Sequence, residues 1–325
     1  MQTRLTDLLD IEHPVMLAGM GGVSYNKLVT AVSEAGGFGT IGAGAMSPEE
    51  MVDEVKLVKD ATDKPFGVDL LTAMPGDLEA QVQMIIDGGA TMFVAALGVP
   101  NEVIDQCHDA GVLVANMCGK VNHAVRAVEA GCDLIIAQGT EAGGHTGKVA
   151  TMPLVPQIVD AVGDRVPVAA AGGIFDGRGL AAALALGADG VWIGTRFIAT
   201  PEAHSVTGYK NRLLGAKEDE TVVSRAYSGK TMRVVRGKYT DAWENDRADE
   251  LQLFPMQMVT SIGDGALHMG GGEDTVDVDP EIECYPAGQG VGAIDSLEPA
   301  GDVLRRIVAE AESVLGKLGS TVPVG

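Results

Sequence analysis

The sequence of 325 residues predicts an α/β protein built on a parallel (β/α)8 barrel, the TIM-barrel architecture, with a small helical insertion after the eighth strand. Three observations predict this fold. Short runs that are apolar nearly throughout recur eight times in the first two hundred residues, as expected of strands buried on both faces. Stretches with apolar residues at helical spacing separate the runs, and most of these stretches end on a glycine-containing turn. An open, doubly wound sheet is the alternative architecture.

The predicted strands and helices alternate along the chain. The eight strands are Pro14–Met20, Phe38–Ala43, Pro65–Leu71, Ala90–Leu97, Val112–Met117, Asp133–Gln138, Val166–Ala171 and Gly190–Gly194. Ser24 is a candidate cap for the helix that follows the first strand, and Ser47-Pro48 has the cap-and-proline chemistry of a second helix start.

The alternation stops near Thr200, which divides the chain into three predicted parts. Residues 1–200 form the barrel, residues 201–285 a helical insertion that caps the barrel mouth, and residues 286–325 a return loop and a C-terminal helix that complete the barrel. The helix is expected at Leu297–Leu318. Because barrel enzymes keep their sites at the carboxyl ends of the strands, an insertion at this mouth would cover the site.

Composition excludes several classes of function. With 23 Lys and Arg against 45 Asp and Glu, the net charge of −22 argues against binding to nucleic acid or to anionic lipid. No apolar run reaches the roughly 18 residues of a membrane span, and the first residues do not resemble a signal peptide, so a cytoplasmic protein is expected. The four cysteines and six histidines show no metal-ligand spacing, so no metal site is predicted. The sequence leaves the assembly open, and a homodimer is among the states it allows.

Glycines at the ends of the seventh and eighth strands indicate a phosphate site. Gly172 and Gly173 follow one strand, and Gly194 and Thr195 follow the next. These two strand ends often hold a phosphate in barrels, because glycine lets backbone N–H groups approach the anion. The alternative is that the glycines only allow close packing of helix on strand.

The loop after the sixth strand contains a histidine between small residues. Gly143 and Gly144 precede His145, and the loop starts at Gln138. A histidine held on glycines at a barrel mouth is suited to proton transfer or to stabilising an anionic substrate. An ordinary surface or core histidine is the alternative.

Three further positions suggest contacts with a ligand. Gly19 and Met20 follow the first strand and could offer backbone groups and an apolar side chain to a flat ring, although core packing would also explain the methionine. Asp69 lies near the end of the third strand and is either a ligand contact or a turn cap. Lys120 lies a few residues past the fifth strand, which favours a solvent-exposed lysine over a Schiff-base lysine.

The residues at these strand ends resemble a known family. PVMLAGM at 14–20, KPFGVD at 64–69, AQGTEAGGHTG at 137–147, AAGGIFDGRG at 170–179 and GTRF at 194–197 are similar to segments of the nitronate monooxygenase (2-nitropropane dioxygenase) family, which includes FMN-dependent enoyl-acyl-carrier-protein reductases. The matching segments extend over most of residues 1–200.

The resemblance implies an FMN-binding barrel with its site at the positions described above. The phosphate would lie on Gly172, Gly173, Gly194 and Thr195, and the isoalloxazine against Gly19, Met20 and the loop that holds Gln138, Gly143 and Gly144. His145 matches the active-site histidine of the family. Asp69 stands where the family commonly has an asparagine that contacts the flavin, so this chain offers a carboxyl group in place of an amide.

The resemblance implies two reactions. The first is oxidation of alkyl nitronates with FMN and O2 to carbonyl compounds and nitrite, with His145 holding the negative charge of the substrate. The alternative is reduction of an enoyl thioester by FMN with NAD(P)H as electron donor, with His145 as a proton donor. Eight basic residues between 210 and 238 would suit an acidic carrier protein, or are ordinary surface charge. A flavin-binding barrel without turnover is a third interpretation.

Overall fold

The computed structural model describes residues 1–74 and 76–321. Its main sheet contains the eight predicted strands, all parallel: β1 (Val15–Leu17), β2 (Gly39–Gly42), β3 (Phe66–Leu71), β4 (Met92–Ala96), β5 (Leu113–Cys118), β6 (Leu134–Gln138), β8 (Val168–Ala171) and β9 (Gly190–Ile193). The remaining strand in this part of the chain, β7 (Gly144–His145), belongs to a second sheet. The order in the main sheet is β1-β9-β8-β6-β5-β4-β3-β2.

The two edge strands of this sheet meet, so the sheet closes into a nearly complete barrel. Met16 in β1 forms a parallel bridge with Phe38. The amide of Leu17 donates to the carbonyl of Phe38 at 2.8 Å, and the amide of Phe38 donates to the carbonyl of Val15 at 3.0 Å. The prediction of a (β/α)8 barrel is therefore confirmed, and the doubly wound alternative is wrong.

Alternate residues of each strand enter two different cores. In β6, Leu134 and Ile136 pack inside the barrel, while Ile135 and Ala137 pack between the barrel and its helices. Burial on both faces explains why the strands are continuously apolar in sequence. Leu5 and Leu9 from the first helix, α1 (Arg4–Leu9), join the interior core. This amphipathic helix thus fills the end of the barrel at which the strands begin.

The other helices of the barrel cover its outer face. They are α2 (Asn26–Glu34), α3 (Pro48–Ala61), α4 (Leu78–Asp87), α5 (Ile104–Asp109), α6 (Val121–Ala130), α7 (Thr151–Val162), α8 (Gly177–Ala185) and the short α9 (Thr195–Ile198). Ser47 caps α3 as predicted, since its side chain accepts from the amide of Glu50 with Pro48 at the helix start. The predicted cap at Ser24 is wrong, because the Ser24 hydroxyl instead accepts from the amide of Met20 at 2.7 Å.

Residues 201–285 contain the expected helices and also a hairpin that the sequence did not predict. The helices are α10 (Tyr209–Leu214), α11 (Lys238–Glu244) and α12 (Met256–Gly263). The hairpin strands β10 (Thr221–Ser224) and β11 (Met232–Val235) are antiparallel, and β11 also pairs with β7. The strands are four residues long and their third partner lies far away in sequence, which explains why no local pattern reveals them.

The last helix, α13 (Ala300–Thr321), packs against α8 and α2 and completes the helical layer. It starts three residues later than predicted, directly after Pro299. Gly177 allows this packing, because a Cβ atom there would overlap the backbone of α13 at Ile307 and Ala311. Among the described residues, no helix has both the length and the apolar character that a membrane span requires.

Candidate functional site

A cavity of about 850 Å³ lies at the carboxyl ends of the barrel strands. All eleven residues that the sequence singled out line it: Gly19, Met20, Asp69, Gln138, Gly143, Gly144, His145, Gly172, Gly173, Gly194 and Thr195. Binding cavities for small molecules and cofactors typically measure about 300–1,000 Å³, so this one is near the upper end. Its size accommodates a cofactor together with a second molecule.

Residues from the 201–285 segment form the opposite wall of the cavity. We call this wall the roof and define it by Tyr227, Ser228, Lys230, Met258 and His268, all of which line the cavity. The pairing of β11 with β7 attaches the roof to the barrel, since Met232 lies opposite His145 in the strand register. The roof therefore faces the glycine-rich strand ends across the cavity.

Four backbone amides lie at the ends of the adjacent strands β8 and β9, and we call this group the cradle. Gly172 and Gly173 have φ values of 99° and 74°, which glycine adopts without strain. Among the described residues, the amides of Gly172, Gly173, Gly194 and Thr195 donate to no acceptor. Free amides at adjacent strand ends are the usual way in which such barrels bind phosphate.

The turn after β1 is held close to its neighbours. A Cβ atom at Gly42 would overlap the Met20 backbone, and one at Gly194 would lie 3.1 Å from the Met20 sulfur. Gly19 is similarly confined, because a Cβ atom there would overlap the Asp69 side chain. These contacts fix Met20 and Asp69 side by side on the floor of the cavity.

Asp69 is a buried carboxyl group that lacks a partner. Its side chain lies in β3, and the residue is 5% exposed. Oδ1 makes no hydrogen bond with any described residue. Burial raises the pKa of Asp69 well above its usual range, so the folded protein holds this proton more strongly than the unfolded chain does. A neutral carboxyl can donate one hydrogen bond and accept another, as the amide of an asparagine does.

We expect Asp69→Asn to stabilise the flavin-free protein at neutral pH. Between the unfolded-state pKa of about 4 and the higher folded-state pKa, the unfolded chain loses a proton that the native state keeps, so wild-type stability falls as pH rises. Asparagine does not titrate. Thermal unfolding should therefore show a higher melting temperature for the variant at pH 7, and the gain should vanish below about pH 4.

Asp189→Asn is the matched control for this prediction. The Asp189 carboxyl group accepts a hydrogen bond from the Val168 amide at 2.9 Å, so, unlike Asp69 Oδ1, it has a partner in the native state. This control should bring no gain in stability at pH 7. An Asp69→Asn protein that melts no higher than wild type at pH 7 would contradict a raised pKa at Asp69.

His145 is enclosed between the barrel loop and the roof. Its Nε2 lies 2.9 Å from Ser228 Oγ, and the Gln138 side-chain amide donates to its backbone carbonyl at 2.6 Å. Phe254 packs edge-on against the imidazole, and the Lys230 ammonium lies 4.4 Å from the centre of the Phe254 ring. Burial and then the charge of Lys230 lower the pKa of His145 to about 4. The imidazole is therefore neutral at pH 7.

Positions 143 and 144, just before His145, favour glycine for different structural reasons. A Cβ atom at Gly143 would lie 2.8 Å from backbone atoms of Ala287, so this glycine admits the return loop. Gly144 has a φ of 71° and open space beside it. The return loop is fixed further by Gly288, whose amide donates to Thr195 Oγ1 at 3.0 Å. The return loop therefore lies against the loop after β6 and the end of β9.

Sequence patterns did not reveal a second histidine in the cavity wall, His268. His268 Nδ1 lies 2.6 Å from a carboxylate oxygen of Glu283, which is 4% exposed, and both residues line the cavity. Tyr227 donates to the Glu283 carbonyl at 3.2 Å, while the next residue, Ser228, contacts His145. One roof turn therefore contacts His145 and braces Glu283, the partner of His268. These pairs are far apart along the chain and form no motif.

The eight basic residues between 210 and 238 do not form a positively charged face. Four of them lie in ion pairs with acidic residues: Lys210, Arg212, Arg236 and Lys238. Arg233 is buried, and it donates to the Thr140 carbonyl. Residues 201–285 hold nine Lys and Arg against sixteen Asp and Glu. A docking face for an acidic carrier protein finds no support in this segment.

The cavity fits a flavin mononucleotide in two respects. The cradle at Gly172, Gly173, Gly194 and Thr195 offers free amides to a phosphate. Asp69 offers an unpartnered polar atom on a floor that otherwise consists largely of glycine and Met20. A flat, mostly apolar ring with polar edges is suited to that floor.

Fold and site together define a class of protein: a (β/α)8-barrel enzyme whose cavity lies between the strand ends and a roof. Comparison with known proteins is more specific. A family model described as nitronate monooxygenase matches residues 2–81 and 72–310. The chain therefore belongs to the nitronate monooxygenase family, whose members are oxidoreductases.

Three relatives illustrate the range of this family. The chain is 35% identical to a putative monooxygenase of Mycobacterium tuberculosis, with 99% of this chain and 100% of the relative covered. It is 36% identical to an octahydro-indene-carboxyl-CoA dehydrogenase of the same organism, with 96% of each covered. The structure of FabK from Thermotoga maritima matches with a TM-score of 0.87 and 35% identity over 99% of this chain and all of that chain.

Proposed function

We propose that the chain is an FMN-dependent oxidoreductase that acts on an acyl thioester, reducing an enoyl thioester with electrons from NAD(P)H. The observation that carries the proposal is the cavity, whose volume of about 850 Å³ would hold FMN and still leave room for a second molecule with the long arm of a thioester. The name of the carboxyl-CoA dehydrogenase from Mycobacterium tuberculosis supports a thioester substrate. The sequence alone favoured the nitronate reaction; the size of the cavity is our reason for placing the thioester first.

The barrel residues would hold the cofactor. The amides of Gly172, Gly173, Gly194 and Thr195 would bind the FMN phosphate, and Gly19, Met20, Gly143 and Gly144 would border the ring. Gln138 uses its amide nitrogen to hold His145, so its Oε1 remains for the flavin. Asp69, as a neutral acid, would supply the hydrogen bond that an asparagine supplies elsewhere in the family. When bound, FMN supplies hydride transfer.

His145 would polarise the thioester carbonyl. Ser228 Oγ lies 2.9 Å from His145 Nε2 and 3.3 Å from the Lys230 carbonyl, so donation to the nearer Nε2 is favoured. This tautomer leaves the proton on Nδ1, where a neutral imidazole can donate to an oxygen that gains negative charge. His145 then acts as a hydrogen-bond donor to the carbonyl rather than as the proton donor that the resemblance implied for a reductase, and Lys230 supplies the nearby positive charge.

Oxidation of nitronates is the second candidate, and Lys230 is the observation that favours it. A nitronate is a small planar anion, and the Lys230 ammonium beside His145 would attract it. His145 and Lys230 would also stabilise the negative oxygen of a thioester enolate. Both substrates would therefore place negative charge beside the same two residues.

Anaerobic flavin spectra separate the two candidates. The purified protein is mixed separately with NADH, with NADPH and with propyl-2-nitronate, and the visible flavin absorbance is followed. Bleaching by a nicotinamide and not by the nitronate supports the thioester reductase. Bleaching by the nitronate alone supports the second candidate, and a protein that takes up no FMN contradicts both.

A further inference from the structure

The exposed charges around the cavity are basic, although the protein is strongly acidic. The acidic residues that line the cavity among the described residues are Asp69 and Glu283, both of which are buried. The exposed charged or ionisable side chains that line it are Lys120, His123 and Arg126. In a chain of net charge −22, this rim is a local reversal of sign.

The three side chains form one stripe on α6. They are spaced three residues apart, from Lys120 just before the helix to Arg126 in its second turn, and this spacing places them on one face. None of them has an ion pair or a side-chain hydrogen bond with another described residue. Glu129 follows one turn later, but it does not line the cavity. The positive charge of the stripe is therefore available to a ligand in the cavity.

The stripe is separate from the phosphate cradle. The cradle lies at the ends of β8 and β9, whereas α6 follows β5. In the barrel order, β6 lies between β5 and β8. An FMN phosphate held in the cradle would leave the stripe free for a second anionic group on the other molecule in the cavity.

We propose that Lys120, His123 and Arg126 bind the phosphate groups of an adenosine-phosphate arm, the part shared by coenzyme A and NAD(P)H. This inference rests on the proposed function, because it assigns the arm to the thioester substrate or to the electron donor. Electrostatic attraction at an exposed rim acts mainly on capture of the ligand and weakens with salt. The stripe would thus act mainly on the KM of the molecule that carries the arm.

The test compares the charge-reversed double variant Lys120→Glu/Arg126→Glu with wild type. The matched control is Lys27→Glu/Arg165→Glu, two exposed basic residues that do not line the cavity and give the same change in net charge. For crotonyl-CoA, we expect the stripe variant to raise KM about tenfold at low salt with little change in kcat. Crotonyl-pantetheine lacks the adenosine-phosphate arm, and its KM should stay unchanged.

A parallel series with the electron donor identifies the source of the arm. A higher KM for NADPH, with reduced nicotinamide mononucleotide unaffected, assigns the stripe to the donor and still supports the proposal. Equal effects on crotonyl-CoA and crotonyl-pantetheine, or no effect on either CoA esters or NADPH, would overturn it.

Direct binding separates failure of this inference from failure of the proposed function. Calorimetry with free coenzyme A and with ADP requires no turnover. Weaker binding to the stripe variant than to the control would support the subsite even if no thioester is reduced. Equal binding to both variants would overturn the subsite even if thioesters are reduced.

Discussion

Gly173→Val is expected to yield a folded protein with less than about a tenth of the wild-type flavin, a loss of about 1.4 kcal/mol or more in binding free energy. Gly173 has a φ of 74°, which a β-branched residue adopts only with strain. An added Cβ atom would also lie 2.5 Å from Glu141 Oε2. The new side chain would crowd the free amides of the cradle. Flavin released by denaturation, measured per protein chain, checks this result.

Gly111→Val is the matched control. Gly111 has nearly the same φ, 73°, but no heavy atom lies within 4 Å of the added Cβ position. The control carries the same backbone strain and should keep its flavin. A normal flavin content in the Gly173→Val protein would contradict the proposal that the cradle binds the FMN phosphate.

His145→Ala is expected to lower turnover by about a hundredfold or more while the flavin stays bound. The variant removes the imidazole that donates to the substrate oxygen, but it leaves the cradle and Asp69 in place. Steady-state rates with an enoyl-CoA and NAD(P)H, together with the flavin content, measure the two effects separately.

Ser228→Ala is the companion to this variant. Ser228 contacts His145 Nε2 and would orient the ring without touching the substrate, so a smaller loss is expected than for His145→Ala. Loss of flavin from His145→Ala would make His145 a structural residue. Normal turnover of the His145→Ala protein would show that His145 takes no part in the reaction.

The barrel and its strand-end glycines were predictable because the physics that produces them is local. Strands buried on both faces must be apolar at successive positions, as in Ile135 and Ile136. Left-handed backbone at a strand end favours glycine, as at Gly172 and Gly173. Both requirements can be recognised from the types of a few neighbouring residues.

The surroundings of those residues could not be predicted from local patterns. Ser228 lies 83 residues from His145, and no spacing rule connects them. Ser24 looked like a helix cap, but tertiary structure directs its hydroxyl to the Met20 amide. For Asp69, the sequence shows a carboxyl group, whereas its raised pKa depends on burial in the folded barrel.

The stripe on α6 shows a related limit. Lys120 is exposed at the helix start, as the sequence predicted. The sequence did not show that the same face lines the cavity. The basic residues between 210 and 238 stood out in sequence, but their acidic partners became visible only in the fold.

Mixing the NAD(P)H-reduced protein with crotonyl-CoA in the absence of oxygen tests directly whether the reduced flavin reduces an enoyl thioester. We expect rapid return of the oxidised flavin spectrum, with one butyryl-CoA formed for each flavin reoxidised. A flavin that remains reduced with crotonyl-CoA and is reoxidised only when oxygen enters would contradict it.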